Sequence, residues 1–407
     1  MAATKDNQGI KQKLALATCS LLSQQASGEA IENDWVFDSS FVSYNESDDR
    51  VKVNKFIVDV SGTIAEGENI DLMVILDTMT GSTPTGGVQS STIVSVTGTS
   101  GSGGFSANGN ATALAPFDDT RLAVKVDWEH EVSSTFRTTY GSAVSVENDY
   151  TSLGGSFTIA KDTASKLTTF TTGLGFAHDE ISQTGGVTPE PLSNVNDQRL
   201  FGEGERDTFD FIAGVTRVLG PRTLWQNNIG FMYSEGYHTD PYKVVSIAND
   251  SDVELDRIYE SRPDKRERTI LYSKLIHSLS DTQTMHLSYR YYADDWEIEA
   301  HTLDYTHRFA LGAGQYIEPH VRYYTQTKAD FFQRSLPLFT PLPEFVSADN
   351  RLDDMQGATL GVKFGKPVGE NGEVRARLEM IGWQAENAVI DETTAVVLQL
   401  SFQKGFY

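Results

Sequence analysis

Residues 121–129 read Arg-Leu-Ala-Val-Lys-Val-Asp-Trp-Glu. In an extended chain Leu122, Val124, Val126 and Trp128 point to one side. Arg121, Lys125, Asp127 and Glu129 point to the other, with Ala123 among them. Successive side chains of a strand alternate faces, so this segment meets apolar surroundings on one side and water on the other. Nine residues at about 3.3 Å each, tilted, cross a thin hydrocarbon slab. The end of the chain repeats the pattern. Val396, Leu398, Leu400 and Phe402 share one face, and Val397, Gln399, Ser401 and Gln403 share the other.

Working outward from these two segments, period-2 alternation recurs roughly sixteen times, with cores near 35–44, 51–64, 70–78, 119–131, 135–148, 151–160, 167–178, 207–217, 223–236, 266–279, 283–293, 297–309, 315–327, 356–365, 373–385 and 393–407. The junctions alternate in length. Short turns such as AEGEN (65–69), KDTASK (161–166), LGPR (219–222), LGAG (311–314) and PVGENG (367–372) fall at every second junction, while four long junctions lie near 79–118, 179–206, 237–265 and 328–355. A soluble sandwich has no reason to segregate loop lengths in this way. A transmembrane barrel has short periplasmic turns and long external loops. The expected fold is therefore all-β: a transmembrane antiparallel up-and-down β-barrel of about 16 strands.

The whole-chain values agree with this reading although they look soluble. The 407 residues carry 56 Asp and Glu against 33 Lys and Arg, a formal charge of -23. Only alternate strand residues meet lipid in a barrel, so a low mean hydropathy is expected. The acidity argues against nucleic acid, whose phosphates need a basic surface. Residues 1–28 read as a secretory signal: Lys5, Lys11 and Lys13 precede the short apolar run Leu14–Leu22, and Ala26-Ser27-Gly28 suits cleavage. Cleavage after Ala30 is a near alternative. The rival reading makes LATC a lipobox with Cys19 lipidated, which Thr18 fits poorly. Residues 29–407 then form the barrel, and loss of Cys19, the single cysteine, leaves no disulfide or Cys-based zinc site. No later stretch is apolar for the ~18 residues that a helical span needs. The 16 Tyr and 21 Phe gather toward strand ends. Tyr44, Tyr140, Tyr150, Phe170, Tyr233, Tyr237, Tyr289, Tyr291, Tyr305 and Tyr323 are expected near the headgroups, where amphipathic rings are favoured.

The water-facing side of the later strands is charged. His286, Ser288 and Arg290 share one face, as do Asp304 and Arg308, then Glu318, His320 and Arg322, then Arg375, Arg377 and Glu379. A lipid-facing charge near the midplane costs about 2–4 kcal/mol, so these residues are expected to point inward. Their bland role is a salt-bridged brace of the wall, and their sharper role a selectivity or ligand site. His286 and His320 lie two strands apart without an HxH pair, so no metal site is expected, and no cofactor. No GxSxG, HExxH or P-loop appears, so no enzyme is expected. The external loops are acidic, a solvated face suited to divalent-cation bridges with lipopolysaccharide. Two of them stand out: 80–116 is rich in Gly, Ser and Thr, and 331–345 (FFQRSLPLFTPLPEF) is apolar and Pro-rich, suited to a partner, a plug contact or its own barrel rim.

Several stretches together resemble a bacterial outer-membrane barrel family of unknown function: DTMTGSTPTGG (77–87), GVTRVLGPRTLWQNNIG (214–230), GYHTDPYKVVS (236–246), YESRPDKRER (259–268), LSYRYYADDWEIEAHT (287–302), PHVRYYTQTKADFF (319–332) and SADNRLDD (347–354). The resemblance implies a Gram-negative outer-membrane address among lipid and lipopolysaccharide. It also implies association with a small lipoprotein and a periplasmic redox system, and supplies no established functional residues. On the expected strands these motifs gather in one sector, where Asp240, Lys243, Arg262, Asp264, Arg266, Asp294 and Asp295 are expected to form a charged cluster at the external rim. Arg290, Glu318, His320 and Arg322 extend it down the lumen. Two functions follow: a channel, transporter or conduit for a small solute or a metal-related or redox process, or a non-conducting scaffold that docks a small lipoprotein in its lumen.

Overall fold

Alternating strands with one greasy face satisfy every backbone group in lipid only by closing on themselves. The computed structural model shows that closure. It describes residues 35–48, 50–88, 94–97, 104–107, 114–182, 188–197, 200–202, 204–251 and 253–406. Sixteen antiparallel strands close a single barrel. They are β1 (Trp35–Glu46), β2 (Lys52–Ala65), β3 (Glu68–Pro84), β4 (Leu114–Ser133), β5 (Phe136–Val146), β6 (Tyr150–Asp162), β7 (Thr168–Ile181), β8 (Gly204–Gly220), β9 (Thr223–Gly236), β10 (Lys265–Ser280), β11 (Gln283–Asp294), β12 (Glu299–Gly312), β13 (Gln315–Gln326), β14 (Met355–Pro367), β15 (Gly372–Ala385) and β16 (Glu392–Phe406). Each pairs with its sequence neighbour, and β1 closes on β16 from Trp35↔Phe406 to Glu46↔Ala395. Every expected segment is a barrel strand. The expected signal segment lies outside the described residues.

Register fixes the two faces. Asp77↔Arg121, Ile75↔Ala123 and Met73↔Lys125 point into the lumen, while Leu76↔Leu122 and Ile70↔Trp128 point out. Leu122, Leu174, Leu271, Leu303, Leu360 and Leu400 are all exposed on that outer face. Aromatics frame the band: Trp128, Tyr140 and Phe157 stack at 5.3 and 5.1 Å toward the short turns, and Phe176 meets Phe209 at 5.1 Å toward the long loops. Tyr44, Tyr150 and Tyr237 depart from the expected headgroup girdle. Tyr44 opposes Val53 on the inner face and packs with Val51, Met79 and Phe117. Tyr150 opposes Ile181 at the top of the wall, and Tyr237 leaves β9 to face a cavity. β3 and β4 run past their expected ends, because their ladder continues from Thr80↔Asp118 to Pro84↔Leu114. Pairing above the rim keeps those backbone groups satisfied.

Candidate functional site

All four long loops meet over one mouth of the barrel. Residues 237–264 carry a hairpin, Val244–Ala248 with Glu254–Tyr259. Val244–Ala248 also pairs in parallel with Ser335–Pro337 of the 327–354 loop. The loop between β7 and β8 joins through Leu192 N to Tyr259 O (3.2 Å) and Tyr259 N to Ser193 O (3.0 Å). From the β3–β4 loop, Thr85 O accepts from Val244 N (2.9 Å), and Val88 N donates to Ser246 Oγ (2.9 Å). β3 and β9 stand far apart around the ring, so the 237–264 segment spans the mouth as a lid. Its apolar centre is Val245, Ile258, Leu336, Val346 and Ala348, with Val245 and Val346 wholly buried. Gly86, at φ +94°, lets the β3–β4 loop pass beneath: a Cβ there would lie 2.6 Å from Val244 O. The rest of the Gly/Ser/Thr-rich stretch 80–116 lies partly outside the described residues.

An ionic latch holds the lid. Asp349 Oδ2 lies 2.8 Å from Arg262 Nη2 and 2.7 Å from Arg351 Nε. Arg351 Nη2 reaches Asp240 Oδ2 at 2.9 Å, and Arg262 Nε reaches Glu260 Oε1 at 2.6 Å. Lys243 Nζ sits 3.9 Å from Asp349 and donates to Pro84 O, tying in the third loop. Glu260 Oε1 accepts from Asp240 N (2.7 Å), and Oε2 accepts from the Ser347 hydroxyl. Three carboxylates thus face three cations, with Glu260 and Asp349 fully buried. Burial opposes the Asp240 charge, but Arg351, Lys243 and Arg262 overcome it and hold the carboxyl at about 2. Burial is overcome at Asp349 too, where the same cations hold the group well below the usual carboxylate range. At Glu260 burial prevails over Arg262 and pushes the carboxyl up. Burial also pushes Lys243 down against the pull of Asp349.

The structure divides the expected rim cluster. Asp240, Lys243 and Arg262 belong to the latch, whose other members, Glu260, Asp349 and Arg351, were not singled out from sequence. All three sit inside the quoted motifs ESRPDKR and SADNRLDD, so the signal was present but had no geometry. Arg266 belongs to a separate pair: its Nη2 lies 2.6 Å from Asp294 Oδ2, and its guanidinium lies 4.0 Å from the Trp296 ring centre. Asp264 and Asp295 are exposed and outside both groups. Asp295 instead accepts from Glu267 N at 2.9 Å, tying the β11–β12 turn to β10. That is a turn contact, which nearness in sequence to Asp294 cannot distinguish from a cluster contact.

Down the wall, Glu318, His320 and Arg322 each enter ion pairs with side chains of neighbouring strands. His320 Nε2 is 2.9 Å from Asp304 and Nδ1 is 2.7 Å from Glu379. Arg322 meets Asp304 at 2.7 Å, Arg377 meets Glu379 at 2.9 Å, and Arg308 and Lys363 both meet Glu318. Arg290 faces the lumen between Tyr272 and Thr302 and joins neither ionic group among the described residues. Among the described residues His286, on β11, forms no hydrogen bond with His320, Asp304 or Glu379.

At mid-height the opposite wall carries almost nothing bulky. Facing inward on β5 are Gly141, Ala143 and Ser145; on β6 Ser152, Gly154 and Ser156; on β7 Gly173, Gly175 and Ala177. A cavity of about 510 Å³ runs along this wall, roofed by Tyr237–Lys243 of the lid. At its upper edge Asp119, Glu147 and Asp149 each bring one carboxylate oxygen within 4.8 Å of the others. Tyr242 Oη donates to Asp149 at 2.7 Å. This trio was missed from sequence: its members lie on β4 and the β5–β6 turn, and only register aligns them.

Among solved structures the chain is similar to the CymD monoaromatic hydrocarbon channel at 8% identity, over 92% of this chain and 88% of that one, with a TM-score of 0.41. It is similar to Pseudomonas aeruginosa OccK5 (OpdH) at 9% identity, over 94% and 100%, with a TM-score of 0.45. It is similar to a bacterial polysaccharide outer membrane secretin at 8% identity, over 93% and 100%, with a TM-score of 0.47. No curated protein matches. The sequence profile described as protein of unknown function (DUF3570) matches residues 11–403, and the chain belongs to that family.

Proposed function

We propose that this barrel is a lidded outer-membrane conduit for a small solute, which travels along the β5–β7 wall and is held back by the latched loops. The observation that carries this reading is the cavity of about 510 Å³ beside a wall of Gly, Ala and Ser, directly under the lid. A wall of side chains this small leaves free cross-section in a barrel of this strand number, whereas a wall meant only for stability is filled. The charged wall opposite supplies the stiffness.

Proteoliposome permeation and planar-bilayer conductance test the proposal with three proteins: the native chain, a lid-released Asp349→Asn variant, and Asp349→Asn combined with Ala143→Trp and Ser156→Trp. Release of the lid is expected to raise ion flux. The two indoles are expected to cut it at least about tenfold, because both positions open into the lumen. A released lid with no conductance at all would sink the conduit reading and favour the lipoprotein-docking scaffold.

A further inference from the structure

We propose that the outer face of the barrel at its short-turn end binds the phosphates of anionic phospholipid in the adjoining leaflet. The observation is a separation of charge along the lipid-facing surface. At the long-loop end that face is acidic: Glu180, Glu205, Asp207, Glu267, Glu299 and Glu392 are exposed there. The strand lysines on that outward face are Lys52 and Lys265, and Lys265 is paired with Glu235 at 3.3 Å. At the short-turn end the sign reverses. Lys161 on β6, Arg217 on β8, Lys366 on β14 and Lys404 on β16 all point outward and are exposed. His130, His277 and His307 take the equivalent outward position on β4, β10 and β12, so seven of the eight descending strands carry a basic residue or imidazole there. Glu68 is the acid on this collar among the described strand residues, and it is occupied by Trp128 Nε1 and His130 Nδ1, both at 2.6 Å.

Depth follows from spacing. Asp207 to Arg217 and Glu267 to His277 are each ten residues apart on one strand. Ten residues at about 3.3 Å, tilted by about 40°, rise roughly 25 Å, the height of a barrel's apolar band. The two collars therefore stand at its two edges. Apolar groups flank the cations within the surface: Lys161 lies between Phe136 and Phe170 of the neighbouring strands, Arg217 beside Trp225, and Lys404 is 5.2 Å from the Phe406 ring centre. A cation held among greasy rings at the headgroup level suits a lipid phosphate whose acyl chains lie on the same surface. One cation at an anionic surface is worth about a fivefold preference.

Spin-labelled phosphatidylglycerol and phosphatidylcholine, presented to the full-length barrel in bilayers, test this by the fraction of each lipid immobilised at the protein. The native protein is expected to prefer phosphatidylglycerol about fivefold. Lys161→Gln, Arg217→Gln, Lys366→Gln and Lys404→Gln together are expected to bring the two lipids to parity. Lys161→Arg, Lys366→Arg and Lys404→Arg together are expected to keep the preference, which separates charge from folding. Replacing Glu205, Asp207 and Glu267 by their amides is expected to leave it unaltered. Equal binding of both lipids by the native protein would overturn the proposal, as would a preference abolished by free inorganic phosphate or one that survives loss of the four cations.

Discussion

Two sectors of the lumen wall obey one register and do opposite things. From β10 to β15 the inward positions hold Arg, Lys, His, Glu, Asp and Tyr, knitted by ion pairs of 2.7–3.2 Å around Asp304, Glu318, His320 and Glu379. From β5 to β7 the mid-wall inward positions hold Gly, Ala and Ser beside open volume, with the ion pairs Arg137–Asp162 and Arg206–Asp179 only at the two ends. The lid respects the division. Over the charged sector, the 327–354 loop packs Phe331, Phe332 and Leu352 onto Trp296, Ile270 and Tyr292. Over the smooth sector, the 237–264 loop roofs a cavity instead. The charged sector of six strands thus serves rigidity and the smooth sector of three serves space, and the difference lies in side-chain volume. The expected apolar loop 331–345 is split likewise: Phe331 and Phe332 are tucked into the rim, while Phe339 at the tip is 94% exposed.

The contrast is broken most severely at its shared roof. Asp349→Asn strips a carboxylate from Arg262, Arg351 and Lys243, and removing one partner of a buried ionic group costs about 3–5 kcal/mol. The lid loops are expected to become trypsin-sensitive while the barrel keeps its heat-modifiable gel mobility. Trp296→Ala attacks the charged sector. Trp296 is 2% exposed, donates to Lys265 O at 3.0 Å and meets Phe331 edge to face, so truncation is expected to cost about 3–4 kcal/mol, read as faster hydrogen exchange in 327–354. Glu260→Gln should be milder than Asp349→Asn, at about 1–3 kcal/mol, because burial already opposes the charge of Glu260. Loss of protection as large as with Asp349→Asn would refute the ranking.

The smallest effect is acid release of the lid. Asp240 has its pKa lowered from 3.8 to about 2, so its stabilisation is complete above about pH 4 and disappears as pH falls through about 2. The shift corresponds to about 2 kcal/mol. Near-ultraviolet circular dichroism of the aromatic groups under the lid is expected to hold steady down to pH 4 and to fall only below pH 3. A midpoint near pH 5 would mean that another group controls the roof.

Much of this was legible in the chain. Alternation at Leu122, Val124, Val126 and Trp128 set the faces of β4, and loop-length alternation set the topology. Inward charges at Asp304, Glu318, His320, Arg322 and Glu379 followed, because lipid forbids them outside. The latch was half legible: Asp240, Lys243 and Arg262 drew notice, but Asp349 lies 87 residues beyond Arg262 and no periodicity links two loops. Asp264 and Asp295 fall in the same sector of the expected strands, but a place at the rim carries no information about side-chain direction in irregular backbone.

The amino-acid sequence by itself determined the barrel, its strand number and which side chains meet lipid. These follow from a two-residue period acting against two immiscible solvents, and each strand reports them locally. Only the tertiary structure decided that four loops knit into one lid, that six charges from two of them form its latch, and that the smooth wall lies beneath its roof. Those facts depend on contacts between residues distant along the chain, and a local pattern holds no record of which distant partner a loop will find.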